Sequence, residues 1–324
     1  MPGTLIVSLD FELFWGMLEV HTLEAYQANV LGGRKAIPQL LKLFEKYGIH
    51  ATWATVGFMF AENYEELKRY FPEPHLRPSY TNEKLDPYSW FERIGENEQE
   101  APCFYAPSLI RLVSQAPGQE IGSHTFCHYY CREEGQTPQQ FAADAQAARR
   151  IAADHGYDVT SIILPRNQSE PEYAKLLHEA GFTAFRDEEH DWIHEKVKCW
   201  PLLRALRLVD AYLPITGYNG YHPKMENGIC NVMGSRVYRA IFPRLRFLEG
   251  LKIHRIKMQM RHAAKKGLTY HLWWHPHNLG LETETHLQQL EDILSYYQRM
   301  KERYGMVSVN MREAAEKYGN EVRE

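Results

Sequence analysis

Residues 4–16 read TLIVSLDFELFWG, and the fold can be argued outward from this stretch. Its first half is apolar and β-branched, which predicts a buried strand over Leu5–Leu9. Two carboxylates, Asp10 and Glu12, follow where that strand ends, and residues two apart on an extended chain project to the same face. Neighbouring carboxylates repel each other, and a bound cation is the usual remedy. The alternative is a half-solvated acidic pair at a strand end.

Short apolar runs alternate with amphipathic stretches along the rest of the chain. The predicted strands are Leu5–Leu9, His50–Val56, Ser161–Leu164, Thr183–Phe185, Leu208–Leu213, Leu268–His275 and Val307–Asn310. The predicted helices are Arg34–Tyr47, Pro138–His155, Glu170–Ala180 and Glu284–Tyr304. This alternation indicates an α/β fold with a parallel sheet, either closed into a barrel or doubly wound. Because no G-x-G-x-x-G motif follows the first strand, a dinucleotide-binding fold is disfavoured.

Two long stretches interrupt this rhythm. Pro72–Pro107 is rich in Pro, Tyr, Trp and Glu, and Gly217–Asn231 is rich in Gly, Tyr and Asn. Loops of this length in a compact domain are usually functional or disordered, and the aromatic content favours walls of a substrate cleft. We therefore expect one domain over residues 1–324, with insertions near 72–107 and 217–266.

Composition excludes several classes of protein. Hydrophobic residues make up 44% and charged residues 24% of 324 residues, which is ordinary for a globular enzyme. A net charge of −4 gives no reason to expect nucleic acid as a partner. No uninterrupted apolar run is long enough to span a bilayer, and the amino terminus lacks the features of a signal peptide. Five cysteines show no disulfide framework, so the expected compartment is the reducing cytoplasm.

A second motif reads EIGSHTFCH over residues 120–128. Its histidines, His124 and His128, are four apart and would share one face of a helix, a spacing suited to chelating a metal. Alone, one packed and one exposed histidine would be the more ordinary interpretation. Together with the acidic pair, two histidines and one carboxylate form a set that leaves metal coordination sites open for water and substrate.

A third motif, Trp273-Trp274-His275-Pro276-His277, closes a strand-like run late in the chain. A histidine at a strand end, flanked by tryptophans, is placed to meet a ligand. Strand alternation puts His271, Trp273, His275 and His277 on one face, so three histidines compete for that role.

The order of these motifs, continued by Pro165-Arg166 and Asp191-Trp192, resembles the polysaccharide deacetylase family (carbohydrate esterase family 4, with a NodB-type domain). The spacing of Asp10 and Glu12 resembles the subgroup in which one residue separates the two acidic residues of the first motif. The similarity extends through most of the chain. It implies a single-domain distorted (β/α)7 barrel with long loops around the active site.

The resemblance also implies roles for residues. The catalytic residues would be Asp10 as general base, His275 as general acid, Arg166 orienting the base, and Asp191 supporting the acid. The metal ligands would be Glu12, His124 and His128, holding Zn²⁺ or, as alternatives, Co²⁺, Ni²⁺, Mn²⁺ or Fe²⁺. The predicted substrate-binding residues are Trp15, Trp192 and Trp273.

The expected reaction is therefore hydrolysis of an amide, first of all N-deacetylation of an amino sugar in a glycan or glycan precursor. Two alternatives are a small or cyclic amide hydrolase of the allantoinase kind and a metal-free carbohydrate-binding protein. Residues 236–266 contain ten Lys or Arg and one acidic residue, Glu249. Such a basic amphipathic stretch is typical of a charged helix face packed on the barrel. It would also suit a membrane surface or a lipid- or nucleotide-linked sugar.

Overall fold

Strand β1 (Thr4–Phe11) lies near the middle of a mostly parallel sheet, and all eight of its residues are buried. The computed structural model describes residues 1–168, 171–189, 192–197 and 199–321. The other strands in this part of the chain are β2 (Ala51–Thr55), β3 (Gln119–Ser123), β4 (Ser161–Ile163), β5 (Ala184–Arg186), β6 (Lys224–Glu226), β7 (Ile229–Asn231), β8 (Arg236–Val237), β9 (Thr269–Trp274) and β10 (Val307–Val309).

Helices surround the sheet. Their bounds are α1 (Leu23–Tyr47), α2 (Tyr64–Leu67), α3 (Pro107–Ser114), α4 (Pro138–Asp154), α5 (Pro171–Glu179), α6 (Trp192–Lys196), α7 (Trp200–Tyr212), α8 (Glu249–Lys266), α9 (Thr283–Tyr304) and α10 (Met311–Glu321). Local signals set several ends: Thr137 and Gln140 form a capping box at the start of α4, and Gly48 ends α1 in the left-handed conformation. Among the described residues, no helix is both long and apolar enough to cross a bilayer.

The sheet closes into a distorted barrel with seven strand positions. Its order runs β6-β7-β5-β4-β3-β2-β1-β9-β8, and β10 adds to the first half of β1. The seventh position is divided: β7 pairs with β5, β8 pairs with β9, and only residues 232–235 separate the two. His271 of β9 contacts the carbonyl oxygens of Val232 and Met233, both at 3.1 Å, which ties the two ends of the sheet together. The expected α/β barrel of the deacetylase type is confirmed.

One predicted strand was wrong, and strand β3 is among those that were not predicted. Leu208–Leu213 was predicted as a strand, but Leu208–Tyr212 belongs to α7, whose apolar residues recur at helical spacing from Leu202 to Val209. Strand β3 was missed because QEIGS contains one large apolar residue. Its buried Glu120 is tolerated because Thr52 donates a hydrogen bond to the carboxylate at 2.6 Å.

Candidate functional site

Three side chains that could bind a metal converge at the carboxyl edge of the parallel strands. Glu12 follows the end of β1, His124 follows the end of β3, and His128 comes four residues later. His124 Nε2 lies 3.1 Å and His128 Nε2 lies 3.0 Å from the same oxygen, Glu12 Oε2. All three side chains are buried, and their ligand atoms lie within 4.8 Å of one another. This is the carboxylate-and-two-histidine set that the motifs predict.

The chemistry of this set fits a divalent cation. Burial raises the pKa of Glu12, but His275, His124 and His128 outweigh it and hold the pKa well below its usual range. Burial also lowers the pKa of His128, so this imidazole favours the neutral form that binds metal. Of the two buried carboxylates, Asp10 pairs with the buried guanidinium of Arg186, whereas Glu12 faces the imidazoles of His124 and His128. A cation bound among the three ligands would offset the remaining negative charge.

A loop, and not a helix, brings the two histidines together. Thr125 and His128 both have left-handed backbone conformations, with φ of 65° and 61°. Buried Asp144 of α4 holds the loop from behind, accepting hydrogen bonds from Phe126 N at 2.7 Å and Cys127 N at 3.1 Å. Asp144 therefore fixes the backbone between the two ligands.

Gly16 shapes the other side of the centre. A Cβ atom at this position would lie 2.1 Å from Glu12 Oε1, so a larger residue would displace the carboxylate. The turn after β1 can fold back over Glu12 because residue 16 has no side chain.

Asp10 is held by an arginine that the sequence analysis did not select. Arg186, at the end of β5, is fully buried and donates from Nη1 and Nη2 to the two carboxylate oxygens, both at 2.7 Å. Burial raises the pKa of Asp10, but the charge of Arg186, aided by His275 and His124, lowers it below its ordinary value. Asp10 is therefore kept ionised and aimed by two parallel hydrogen bonds.

Further buried side chains orient Arg186. Its Nε donates to Asn167 Oδ1 and its Nη1 also donates to Ser8 Oγ, both at 2.9 Å. Ser8 Oγ lies 2.7 Å from His271 Nε2, while His271 Nδ1 faces the carbonyl oxygens of residues 232 and 233. Burial lowers the pKa of His271 to about 3, so this imidazole is neutral and accepts from Ser8. A chain of hydrogen bonds thus runs from Asp10 across the barrel.

Arg166 does not take the position that the resemblance implies. Its guanidinium forms ion pairs with Glu19 and Glu133 and lies over the ring of Tyr130, with 4.4 Å between Cζ and the ring centroid. The prediction that Arg166 holds Asp10 is corrected, because Arg186 makes both hydrogen bonds to that carboxylate. Arg166 instead ties the loop after β1 to the loop after His128.

His275 is the one of the three late histidines that reaches both carboxylates. Its Nε2 lies 3.6 Å from Asp10 Oδ2 and 3.6 Å from Glu12 Oε1, and its side chain is 23% exposed. His271 is enclosed, and His277 is buried with its pKa lowered by burial to about 3. His277 stacks on His275, with the ring centroids 5.0 Å apart, and so supports it from one side.

The three predicted substrate-binding tryptophans have different surroundings. Trp273 lies between Arg186, whose Cζ is 4.2 Å from its ring centroid, and His275, so it forms part of the wall of the site. Trp15 is 1% exposed among aromatic residues and donates to Phe104 O at 2.8 Å. The prediction for Trp15 is corrected, because an enclosed core side chain presents no face to a substrate. Trp192 is 43% exposed and donates to Ile215 O.

Asp191, predicted to support the general acid, lies outside the described residues. The residues that sequence reasoning missed are Arg186, Ser8, Asn167, His271 as an orienting group, and Asp144. Arg186 had a usable signal: it is a lone cation directly after the apolar run Ala184-Phe185, where a strand ends. The others are single polar residues whose partners are far away along the chain, so no local pattern identifies them.

Comparisons with known proteins agree with this geometry. Residues 31–185 match the family model described as Polysaccharide deacetylase, which covers β2, β3 and both histidines of the metal set. A putative polysaccharide deacetylase from Mycobacterium smegmatis has a similar structure, with a TM-score of 0.61 and 14% identity over 98% of this chain and 91% of that chain. A comparison with curated proteins gave no match.

The same fold occurs in proteins with other names. Puue allantoinase is 13% identical, with a TM-score of 0.58 over 97% of this chain and 89% of that chain. A GH57-type branching enzyme from Pyrococcus horikoshii is 12% identical, with a TM-score of 0.57 over 98% of this chain and 71% of that chain. Likeness at this level of identity establishes the fold alone, so the reaction has to be argued from the residues of the site.

Proposed function

We propose that this protein belongs to the polysaccharide deacetylase family and is a metal-dependent hydrolase of amide bonds. Its substrate class would be N-acetylated amino sugars. The observation that carries the proposal is the convergence of Glu12, His124 and His128 beside an Asp10–Arg186 pair and a partly exposed His275. A protein that only binds carbohydrate needs no such combination of ligands, base and acid.

A divalent cation held by Glu12, His124 and His128 would polarise the acyl oxygen and lower the pKa of a bound water to about 7. Asp10 then acts as the general base, because Arg186 keeps it ionised and occupies the outer side of its carboxylate. Its Oδ2 lies 3.6 Å from His275 Nε2, so base and acid face the same small volume. Zn²⁺ is the first candidate, with Co²⁺, Ni²⁺, Mn²⁺ or Fe²⁺ as alternatives.

His275 acts as the general acid. An amide breaks only when the departing amine gains a proton, and His275 is the partly exposed imidazole next to the base. Asn278 Nδ2 lies 3.5 Å from its Nδ1 and His277 stacks on the ring. Asp191 would support this acid, and Trp192 and Trp273 would contact the substrate.

A groove supports an extended substrate. It has a volume of about 610 Å³ and is lined in part by Leu18, Tyr80, Trp90 and Arg93. Tyr80 joins it to the metal set, because the Tyr80 hydroxyl lies 2.8 Å from Tyr130 N, and the Tyr130 ring packs on His128. Several aromatic residues of the 72–107 insertion pack inside, which leaves half-buried Trp90 as a platform for a sugar ring.

The experiment has two parts. Metal content is measured by elemental analysis of the purified protein, a His124→Ala/His128→Ala variant and a His254→Ala control, since His254 is exposed and distant in sequence from the site. We expect about one divalent metal per chain, lost only in the double variant. Release of acetate is then measured with N-acetylglucosamine oligomers and nucleotide-linked N-acetylhexosamines. Ring opening of small cyclic amides, which releases no acetate, is followed separately by chromatography.

The outcomes separate the candidates. Acetate release from oligomers supports the amino-sugar deacetylase. Hydrolysis of small cyclic amides alone would instead favour an allantoinase-like reaction, which the likeness to an allantoinase structure makes the second candidate. An absence of metal after reconstitution would contradict the proposal and leave a carbohydrate-binding protein.

A further inference from the structure

Exposed large apolar side chains are concentrated in one segment. Of thirteen in the described chain, nine lie within residues 192–251, which are 60 of 324 residues. Monomeric proteins normally scatter such side chains singly, and a concentration marks an interaction surface. We call residues 192–251 the apolar segment. The members used below are Trp192, Leu202, Val209, Leu213, Phe242 and Phe247.

Helix α7 within this segment exposes large apolar side chains. Leu202 and Val209, seven residues apart on the helix, and Leu213, which caps its carboxyl end, are 50%, 43% and 50% exposed. Asp210, which follows Val209, is 3% exposed and accepts hydrogen bonds from Arg236 at 2.7 Å and Arg255 at 2.8 Å. A surface helix normally buries its apolar side chains and exposes its charges. In α7 the buried ionic contacts anchor one face of the helix, while Leu202 and Val209 face outward.

A second exposed feature follows in the turn Phe242–Leu248, which reads FPRLRFL. Phe242 is 42% exposed, and Phe247 is 80% exposed, more than any other large apolar side chain of the described chain. Arg244 between them is also exposed. Aromatic side chains alternating with arginines on a surface are typical of peripheral contact with lipid.

Charge identifies the partner. Residues 192–266 contain fifteen Lys or Arg and four acidic residues, whereas the whole chain has 37 against 41. Some of this charge is neutralised inside: Arg236 and Arg255 pair with Asp210, and Lys252 pairs with Glu249. Lys196 and Arg244, which belong to the apolar segment, remain exposed. A surface that is both apolar and positively charged complements an anionic lipid bilayer.

We propose that the apolar segment docks on the surface of an anionic lipid bilayer. Its exposed apolar side chains would lie in the headgroup layer, and its basic side chains would contact lipid phosphates. The segment begins shortly after Arg186, at the end of β5. An ion pair between Arg246 and Glu282 at 3.0 Å returns it to the turn that follows His275. The start of the segment and this ion pair both follow the carboxyl ends of strands, so docking through these parts of the segment would bring the candidate site towards the bilayer. The docking itself does not depend on the proposed reaction.

The test is co-sedimentation of the full chain with vesicles of phosphatidylglycerol and phosphatidylcholine, compared with pure phosphatidylcholine, at moderate salt. We expect binding to the anionic vesicles only. A Phe242→Ser/Phe247→Ser variant and an Arg244→Glu variant should each lower the partition coefficient about tenfold. Leu112→Ser is the matched control, because Leu112 is exposed on α3 outside the segment, and it should bind like the wild type.

Circular dichroism checks that each variant is folded, which exposed positions make straightforward. Failure of the wild type to bind anionic vesicles would overturn the proposal, as would equal binding to neutral vesicles or unchanged binding of both segment variants. Sedimentation velocity without lipid gives a further check. A dimer that the Phe242→Ser/Phe247→Ser variant abolishes would show that a second copy, and not lipid, covers the segment.

Discussion

The two halves of the candidate site are held in different ways. Asp10 and Arg186 lie on strands β1 and β5, and their positions follow from the parallel sheet and from two hydrogen bonds of 2.7 Å. His124 and His128 lie on a loop with two left-handed residues, which Asp144 holds through backbone N–H groups. The strand half is held by the ion pair of Asp10 and Arg186 within the sheet, whereas the loop half is held by the buried carboxylate of Asp144.

This difference indicates which substitutions would impair each half of the site. The strand half would lose its proton transfer when Asp10 or Arg186 loses its charge, while the backbone of the two strands persists. The loop half would lose metal when its support is removed, even if both ligands remain, because partners of the ligands set their orientation. Substitutions that separate catalysis from metal content therefore test the division directly.

The largest effect is expected from Asp10→Asn. The amide keeps the shape of the carboxylate but cannot take up a proton, so kcat should fall by about 10³-fold or more. Metal content should stay near that of the wild type, because Glu12, His124 and His128 form the metal set. Steady-state kinetics and elemental analysis on the same preparation check this. Loss of the metal would make Asp10 a ligand and abolish the division between the halves.

A slightly smaller effect is expected from Arg186→Met, which leaves Asp10 buried without its partner. Breaking a buried ion pair costs about 3 to 5 kcal/mol, and kcat should fall about 100-fold as the carboxylate loses its orientation. Arg166→Met is the matched control, since Arg166 is 39% exposed and pairs with Glu19 and Glu133. Activity and urea denaturation are measured for both variants. Equal losses of kcat and of stability in the two variants would contradict the assignment of Arg186.

The regular strands of the sheet were predicted better from the sequence than the elements that depart from the usual patterns. Apolar runs such as Leu5–Leu9 predicted the strands that pair through much of their length. This was possible because the spacing of apolar residues and the composition are local properties of the sequence. Strand β3 was missed because its Glu120 is satisfied by Thr52, which is 68 residues away. Leu208–Leu213 was predicted as a strand because it is a short apolar run that contains Val209 and Tyr212, whereas the helical spacing appears only when the window reaches back to Leu202.

The sequence was enough to select the three residues of the candidate metal set, which the structure brings together, but not the residues that support them. Glu12, His124 and His128 form short motifs whose residue types are themselves the signal. Arg186 was missed because an arginine carries no motif, and its role exists only once β5 and β1 lie in one barrel. The loop that brings His124 and His128 together could not be predicted for a related reason: left-handed Thr125 and His128 depend on Asp144 and not on local propensity.

An intermediate effect on the loop half is expected from Asp144→Asn. The amide keeps one acceptor oxygen, so one of the two N–H groups of residues 126 and 127 loses its partner, and metal affinity should fall about tenfold. Metal titration with a competing chelator measures this change. Affinity equal to that of the wild type would show that the loop holds its shape without the carboxylate.

The stability of the same variant should depend on pH differently from the wild type. Burial raises the pKa of Asp144 to about 6, so the folded state retains a proton that the unfolded chain releases at about pH 4. This stabilisation is fully present below about pH 4 and is lost as the pH rises through about 6. Between pH 4 and pH 7.5 the free energy of unfolding of the wild type should fall by about 1 to 3 kcal/mol more than that of Asp144→Asn. The free energy of unfolding of both proteins is measured by urea denaturation at the two pH values. An equal change with pH in the wild type and the variant would contradict this prediction.

The smallest effect is expected from Ser8→Ala, which removes the link between Arg186 and His271 while both ionic hydrogen bonds to Asp10 remain. Arg186 keeps its contact with Asn167, so its position should change little and kcat should fall about threefold with KM unchanged. Because Arg186 holds the pKa of Asp10 low, a loosened guanidinium should move the acidic limb of the pH–rate profile to higher pH. Ser295→Ala, a half-buried position on α9 whose hydroxyl donates to Asp292 O, is the control and should leave the limb in place. A fall in kcat without any movement of the acidic limb would show that Ser8 acts only in packing.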